Sequence, residues 1–139
     1  MIKFLAAIIA CCAFVSLPLF AEVIQTDNQQ LKQLIEQGVA VIDVRTPKEW
    51  RETGVIPGSH LLTFFNEAGQ YDAKVWLQQL EAIARPDQPL AIICAVGGRS
   101  KIISHFLDSE AGYKKVHNVT KGIREWIQAG NPTAKPDAQ

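Results

Sequence analysis

The 139-residue chain is poor in cysteine, has no charge excess and shows no internal repeat. Three cysteines occur, and two of them, Cys11 and Cys12, fall in an apolar leader. Beyond residue 21 only Cys94 is left. A solitary thiol excludes an internal disulfide framework and a cysteine-based zinc cage. Lys and Arg number 14, Asp and Glu also 14. That balance offers no basic stripe and excludes a nucleic-acid binder. Long apolar runs are equally scarce. The one candidate, Phe4 to Val15, is barely long enough for the roughly 20 residues that span a bilayer, and Ser16 and Pro18 interrupt it.

The first 21 residues follow the order of a secretory signal peptide: Lys3, an apolar middle, then helix breakers and Ala21. Cleavage is expected after Ala21, which would deliver the chain to the periplasm or outside the cell with no stable membrane insertion. A lipoprotein site at Ile8-Ile9-Ala10-Cys11, with Cys11 lipidated, is the alternative. The remaining 118 residues carry a net charge of −1 and suffice for one domain with its own core. That domain is expected over residues 26–131. Residues 132–139, rich in Pro, Ala and polar side chains, are expected to be a flexible tail.

Between these ends helical and strand patterns alternate. Thr26 is expected to cap a helix carrying Leu31, Leu34 and Ile35, stopped by Gly38. Val39-Ala40-Val41-Ile42 is an apolar run typical of a strand covered on both faces. Thr46-Pro47-Lys48-Glu49 forms a capping box with Pro at the first helical position. Val55 to Gly58 is a turn or short edge strand. Trp76, Leu80 and Ile83 mark a helix, and Leu90 to Ile93 a second buried strand. The next helix sets Ile102, Ile103, Phe106 and Leu107 on one side, with Lys101, Ser104, His105 and Asp108 opposite. A strand over Lys115–Val119 and a helix with Ile123, Trp126 and Ile127 close the pattern. Such alternation predicts an α/β fold, a mainly parallel sheet of about five short strands with helices on both faces. Ligands then bind beyond the carboxyl ends of the strands, at Asp43-Val44-Arg45 and from Cys94 onward.

Cys94-Ala95-Val96-Gly97-Gly98-Arg99-Ser100 links a buried strand to an amphipathic helix. Two glycines let the backbone curl with several N–H groups inward. The helix start adds its positive end, and Arg99 a permanent charge. All three favour thiolate over thiol at Cys94. Ser100 can cap the helix or donate to the sulfur. The plainer alternative makes Cys94 a small buried hydrophobe at a strand end. His60, His105 and His117 have no partners at metal-ligand spacing, so neither a metal nor a cofactor is expected. Trp50, Trp76 and Trp126 fall at helix core positions.

The pattern Cys94-x-x-Gly97-x-Arg99-Ser100 resembles the active-site loop of the rhodanese (thiosulfate sulfurtransferase) family. Val41-Ile42-Asp43-Val44-Arg45, Glu49-Trp50, Gly54-Val55-Ile56-Pro57-Gly58-Ser59, Gly112-Tyr113 and Gly122-Ile123-x-x-Trp126 match further family stretches in order. The whole is most similar to small single-domain periplasmic members. Val55 stands where the family often has His, and Lys121 where it often has a second Gly.

The resemblance implies a single rhodanese-like domain, monomeric, that moves sulfur through a persulfide on Cys94. A small anionic donor such as thiosulfate would load it, and a thiol or cyanide would unload it. The loop from Ala95 through Val96, Gly97, Gly98 and Arg99 to Ser100 would hold the persulfide and the donor's oxygens. Arg99 would touch the anion or brace the loop through a carboxylate. Asp43 and Arg45 would be structural supports, paired with each other or with Arg99.

Two rivals remain in view. A phosphatase or arsenate reductase places five residues between Cys and Arg, whereas four stand between Cys94 and Arg99. A non-enzymatic persulfide or redox-sensing or binding module is the other, but an internal disulfide switch would need a second thiol.

Overall fold

The computed structural model describes residues 22–138; the expected signal peptide and the lipidation site at Cys11 lie outside the described residues. Five strands form one parallel sheet in the order β1-β5-β4-β2-β3: β1 is Ile24–Thr26, β2 Ala40–Asp43, β3 His60–Leu61, β4 Leu90–Ile93 and β5 Val116–Val119. Five helices complete it: α1 Asn28–Glu36, α2 Pro47–Thr53, α3 Ala73–Glu81, α4 Gly98–Ser109 and α5 Gly122–Gln128. The chain is the α/β fold its alternation predicts.

Central β4 explains itself. All four of its residues are buried, because parallel strands are covered on both faces. Successive side chains point to opposite faces, and the core divides accordingly. Ile92 joins Val44, Phe64, Trp76, Leu80, Ile103 and Leu107 under α3 and α4. Ile93 joins Leu31, Val41, Ile56, Ile123 and Trp126 under α1 and α5. Full burial of each such side chain contributes roughly 1.5–3 kcal/mol.

Several expectations are corrected. Thr26 does not cap α1; it ends the short strand β1, and Asp27 accepts from the Gln30 N–H in a capping box. The edge strands β1 and β3 were not expected, since two or three residues show no periodicity. The helix over Trp76 ends before Ile83. The buried face of α4 is Ser100, Ile103, Ser104 and Leu107, while Ile102 is 61% exposed. It is rotated by about one residue, 100° of helix, because Ser100 must face inward to the cysteine loop. Finally, the tail is tied down over residues 132–134. Val55 and Ala134 exchange backbone hydrogen bonds of 3.0 and 2.8 Å, and the Trp126 indole donates to the Pro132 carbonyl. Pro136–Ala138 then form a 3-10 turn. No helix among the described residues is long and apolar enough to cross a membrane.

The sheet register positions the chemistry. Asp43 and Ile93 are neighbours at the carboxyl ends of β2 and β4. The Val44 N–H donates to the Ile93 carbonyl, 3.1 Å. Cys94 therefore emerges beside Val44 at the centre of the crevice.

Candidate active site

Cys94 follows β4 directly, and α4 begins four residues later at Gly98. So abrupt a reversal needs a residue with positive φ. Gly97 supplies it at +100°, and a β-carbon there would run into the Thr120 carbonyl. The turn wraps backbone donors around the sulfur. Sγ, in a residue only 1% exposed, receives the N–H groups of Gly97 at 3.2 Å and Ser100 at 3.4 Å.

The two carbonyls at the start of the loop are held from outside it. The Ile123 N–H donates to the Cys94 carbonyl at 2.9 Å, and the Arg124 N–H to that of Ala95 at 3.1 Å. The first turn of α5 thus holds the loop from below. Contact is so close that a β-carbon on Gly122, at φ +63°, would overlap the Cys94 and Ala95 carbonyls. Gly122 and Thr120 thus help to shape the site, although neither was expected among its residues. Gly122 had a signal in its Gly-Ile-x-x-Trp motif; Thr120 had none.

Ser100 lies against the sulfur, as expected, but does not cap the helix. Its hydroxyl lies 3.4 Å from Sγ as acceptor of the thiol, and it donates to the Gly97 carbonyl at 3.2 Å. It sits inside α4 rather than at its cap, which makes no side-chain hydrogen bond.

Arg99 leaves the loop toward α2 and grips Glu49 with both ends of its guanidinium, at 2.8 and 2.6 Å. Glu49 also accepts from the N–H and hydroxyl of Thr46, closing the capping box of α2. The Arg99 guanidinium holds the Glu49 carboxyl down at about 2, with burial opposing and the Thr46 N–H assisting. The carboxylate in turn raises the Arg99 pKa. A capping residue has become the anchor of a loop 50 positions away, a role its own motif did not announce.

Asp43 and Arg45 pair with each other, not with Arg99. Arg45 is 1% and Asp43 0% exposed. Nε and Nη2 of Arg45 donate to the carboxylate at 3.0 and 2.8 Å. Nη1 also reaches the Thr53 hydroxyl at 2.8 Å, and Nη2 the Gly54 carbonyl at 3.0 Å. Every prong of the fork is used, so this pair fastens the end of β2 to the end of α2.

Of the other loop residues, Val96 is 51% exposed and Ala95 half-buried at the mouth. His60 and His105 are exposed. His117 is half-buried beside the Thr26 hydroxyl, 3.1 Å away, and burial lowers its pKa. Among the described residues no three His, Cys, Asp or Glu side chains cluster as a metal site. The arrangement is a buried thiol that receives two fixed backbone N–H groups, a setting suited to stabilising negative charge on sulfur.

Three comparisons bear on this geometry. The model of the Rhodanese-like domain matches residues 27–129. The chain is 29% identical over 116 residues to thiosulfate sulfurtransferase 18 of Arabidopsis thaliana, covering 80% of this chain and 83% of that protein. A rhodanese-related protein from Thermoplasma volcanium has a TM-score of 0.60 at 30% identity, covering 80% of this chain and 97% of the other. The polysulfide-sulfur transferase homodimer of Wolinella succinogenes reaches a TM-score of 0.63 at 19% identity, with 83% and 80% covered. That last likeness is one of fold.

Proposed function

The chain belongs to the rhodanese-like domain family, and from that premise we propose that it is a sulfurtransferase working through a persulfide on Cys94. The Cys94 thiolate attacks the outer sulfur of a donor such as thiosulfate. The donor's S–S bond breaks, its electron pair leaves with sulfite, and the outer sulfur stays on Cys94. An acceptor thiolate, or cyanide, then takes that sulfur and releases the Cys94 thiolate, a two-step ping-pong cycle. The signal-peptide pattern over residues 1–21 supports the periplasm or the exterior as the place of this work.

One observation carries the reading: the Gly97 and Ser100 N–H groups already point at Sγ, at 3.2 and 3.4 Å. Donors fixed before reaction stabilise developing charge without reorganising. Apolar packing of a strand-end cysteine would require neither the positive φ of Gly97 nor the anchored carbonyls. Arg99 contributes as the brace to Glu49, since both ends of its fork are committed.

Thiosulfate added to the purified protein should raise its intact mass by one sulfur atom, about 32 Da, located at Cys94. The Cys94→Ser variant should gain nothing. Absence of added mass with thiosulfate, polysulfide or any other persulfide donor would sink the enzymatic reading and favour a binding module.

A further inference from the structure

Beside the loop lies a groove of about 300 Å³ that opens over Ala95, the residue next to Cys94. Glu49 and Glu52 of α2 line one wall, and Ile123, Arg124 and Ile127 of α5 the other. Its charges differ in status. Glu49 is committed to Arg99. Glu52 and Arg124 are exposed and form no ion pair among the described residues. One uncommitted carboxylate and one uncommitted guanidinium thus stand on opposite walls, with apolar Ile123 and Ile127 on the arginine side.

We infer that this groove seats the sulfur acceptor, and that the acceptor is a zwitterionic thiol, a cysteine-bearing peptide of two or three residues. The inference rests on the sulfurtransferase reading above. The volume lies at the small end of ligand sites and suits a short peptide rather than a protein surface. Arg124 receives the acceptor's carboxylate, because its planar fork matches that group. Glu52 receives the ammonium group. The thiol then lies over Ala95 and faces the mouth of the loop.

The transfer balances without an outside oxidant or reductant. The acceptor thiolate bonds to the outer sulfur of the Cys94 persulfide, and the bond from that sulfur to Sγ breaks. Its electron pair returns to Cys94 as thiolate, and the acceptor departs as a persulfide.

The test loads Cys94 with thiosulfate, removes the donor and measures discharge by four thiols. These are 2-mercaptoethanol, 3-mercaptopropionate, cysteamine and glutathione, each normalised to its thiolate concentration. Arg124→Ala should slow 3-mercaptopropionate and glutathione about twofold to fivefold relative to 2-mercaptoethanol, the scale of an exposed charge contact. Glu52→Gln should slow cysteamine relative to 2-mercaptoethanol by a similar factor. Ratios that match the unsubstituted protein, or an equal loss with all four thiols, would overturn the acceptor site. Failure of any donor to load Cys94 would instead overturn the sulfurtransferase reading, and this inference with it.

Discussion

Glu49→Gln separates charge from shape at the joint between α2 and the cysteine loop. The amide keeps an oxygen for the Thr46 N–H, so the cap survives while the ion pair to Arg99 is lost. The Glu49 carboxyl is lowered from 4.5 to about 2, and each unit corresponds to about 1.4 kcal/mol. The ceiling is therefore about 3 kcal/mol. Both partners remain more than a quarter exposed, at 29% and 28%, and solvent screening reduces the expected loss to about 1–2 kcal/mol. For a domain of this size the melting temperature should fall by roughly 5 °C. The pH dependence sharpens the test. Because the folded carboxyl titrates below its unfolded value, its contribution is fully present above about 4.5. It is lost as pH falls toward about 2. Urea midpoints of the two proteins should differ at pH 7 and converge toward pH 2.5. Equal midpoints at pH 7, or a gap undiminished in acid, would refute the assignment of Glu49 as the loop's anchor.

Two further substitutions probe the other supports. Gly122→Ala forces a β-carbon onto the Cys94 and Ala95 carbonyls, so about 2–4 kcal/mol should be lost and sulfur loading from thiosulfate should slow. Gly58→Ala, also at positive φ but facing open space, should cost only about 1–2 kcal/mol and load normally; similar behaviour of the two would show that contact with the loop is irrelevant. Asp43→Asn strands the buried Arg45 charge and should destabilise by about 3–5 kcal/mol in urea unfolding. Replacing both residues, Asp43→Leu with Arg45→Met, should recover most of that loss; a single variant as stable as the parent would refute the pairing's role.

Much of this architecture was legible because it follows from local chemistry. The β4 run Leu90 to Ile93 is apolar throughout, and Thr46-Pro47-Lys48-Glu49 states its own capping box. Cys94 with its glycines marked the strand-to-helix loop directly. What escaped depends on distance or brevity. β1 and β3 are too short to show a period and exist only as edges on β5 and β2. The face of α4 was misread because apolar Ile102 outweighs Ser100 and Ser104 in any hydrophobic pattern. Contact with the cysteine loop nevertheless turns the serines inward. The tail was expected to be loose from composition, yet the backbone of Ala134 pairs with Val55, and backbone pairing leaves no compositional trace. The partnership of Arg99 with Glu49 needed a carboxylate that the sequence already employs elsewhere, as a cap.

These anchors account for the plain chemistry of the loop itself. Ala95 and Val96 carry no functional group, and Arg99 faces away to Glu49. The polarity around Sγ comes from the Gly97 and Ser100 N–H groups and the Ser100 hydroxyl, and these reach the sulfur because the start of the loop is pinned through the Cys94 and Ala95 carbonyls. The restraints come from three distant places: Ile123 and Arg124 at the start of α5, Thr120 closing over Gly97, and Glu49 in α2. Each is a packing or capping feature with a structural reason of its own. The field at the sulfur is therefore generated by how helices dock against the loop. Substitutions within the mouth, at Ala95 or Val96, should alter which acceptor enters; substitutions in the docking residues should alter whether sulfur is held at all.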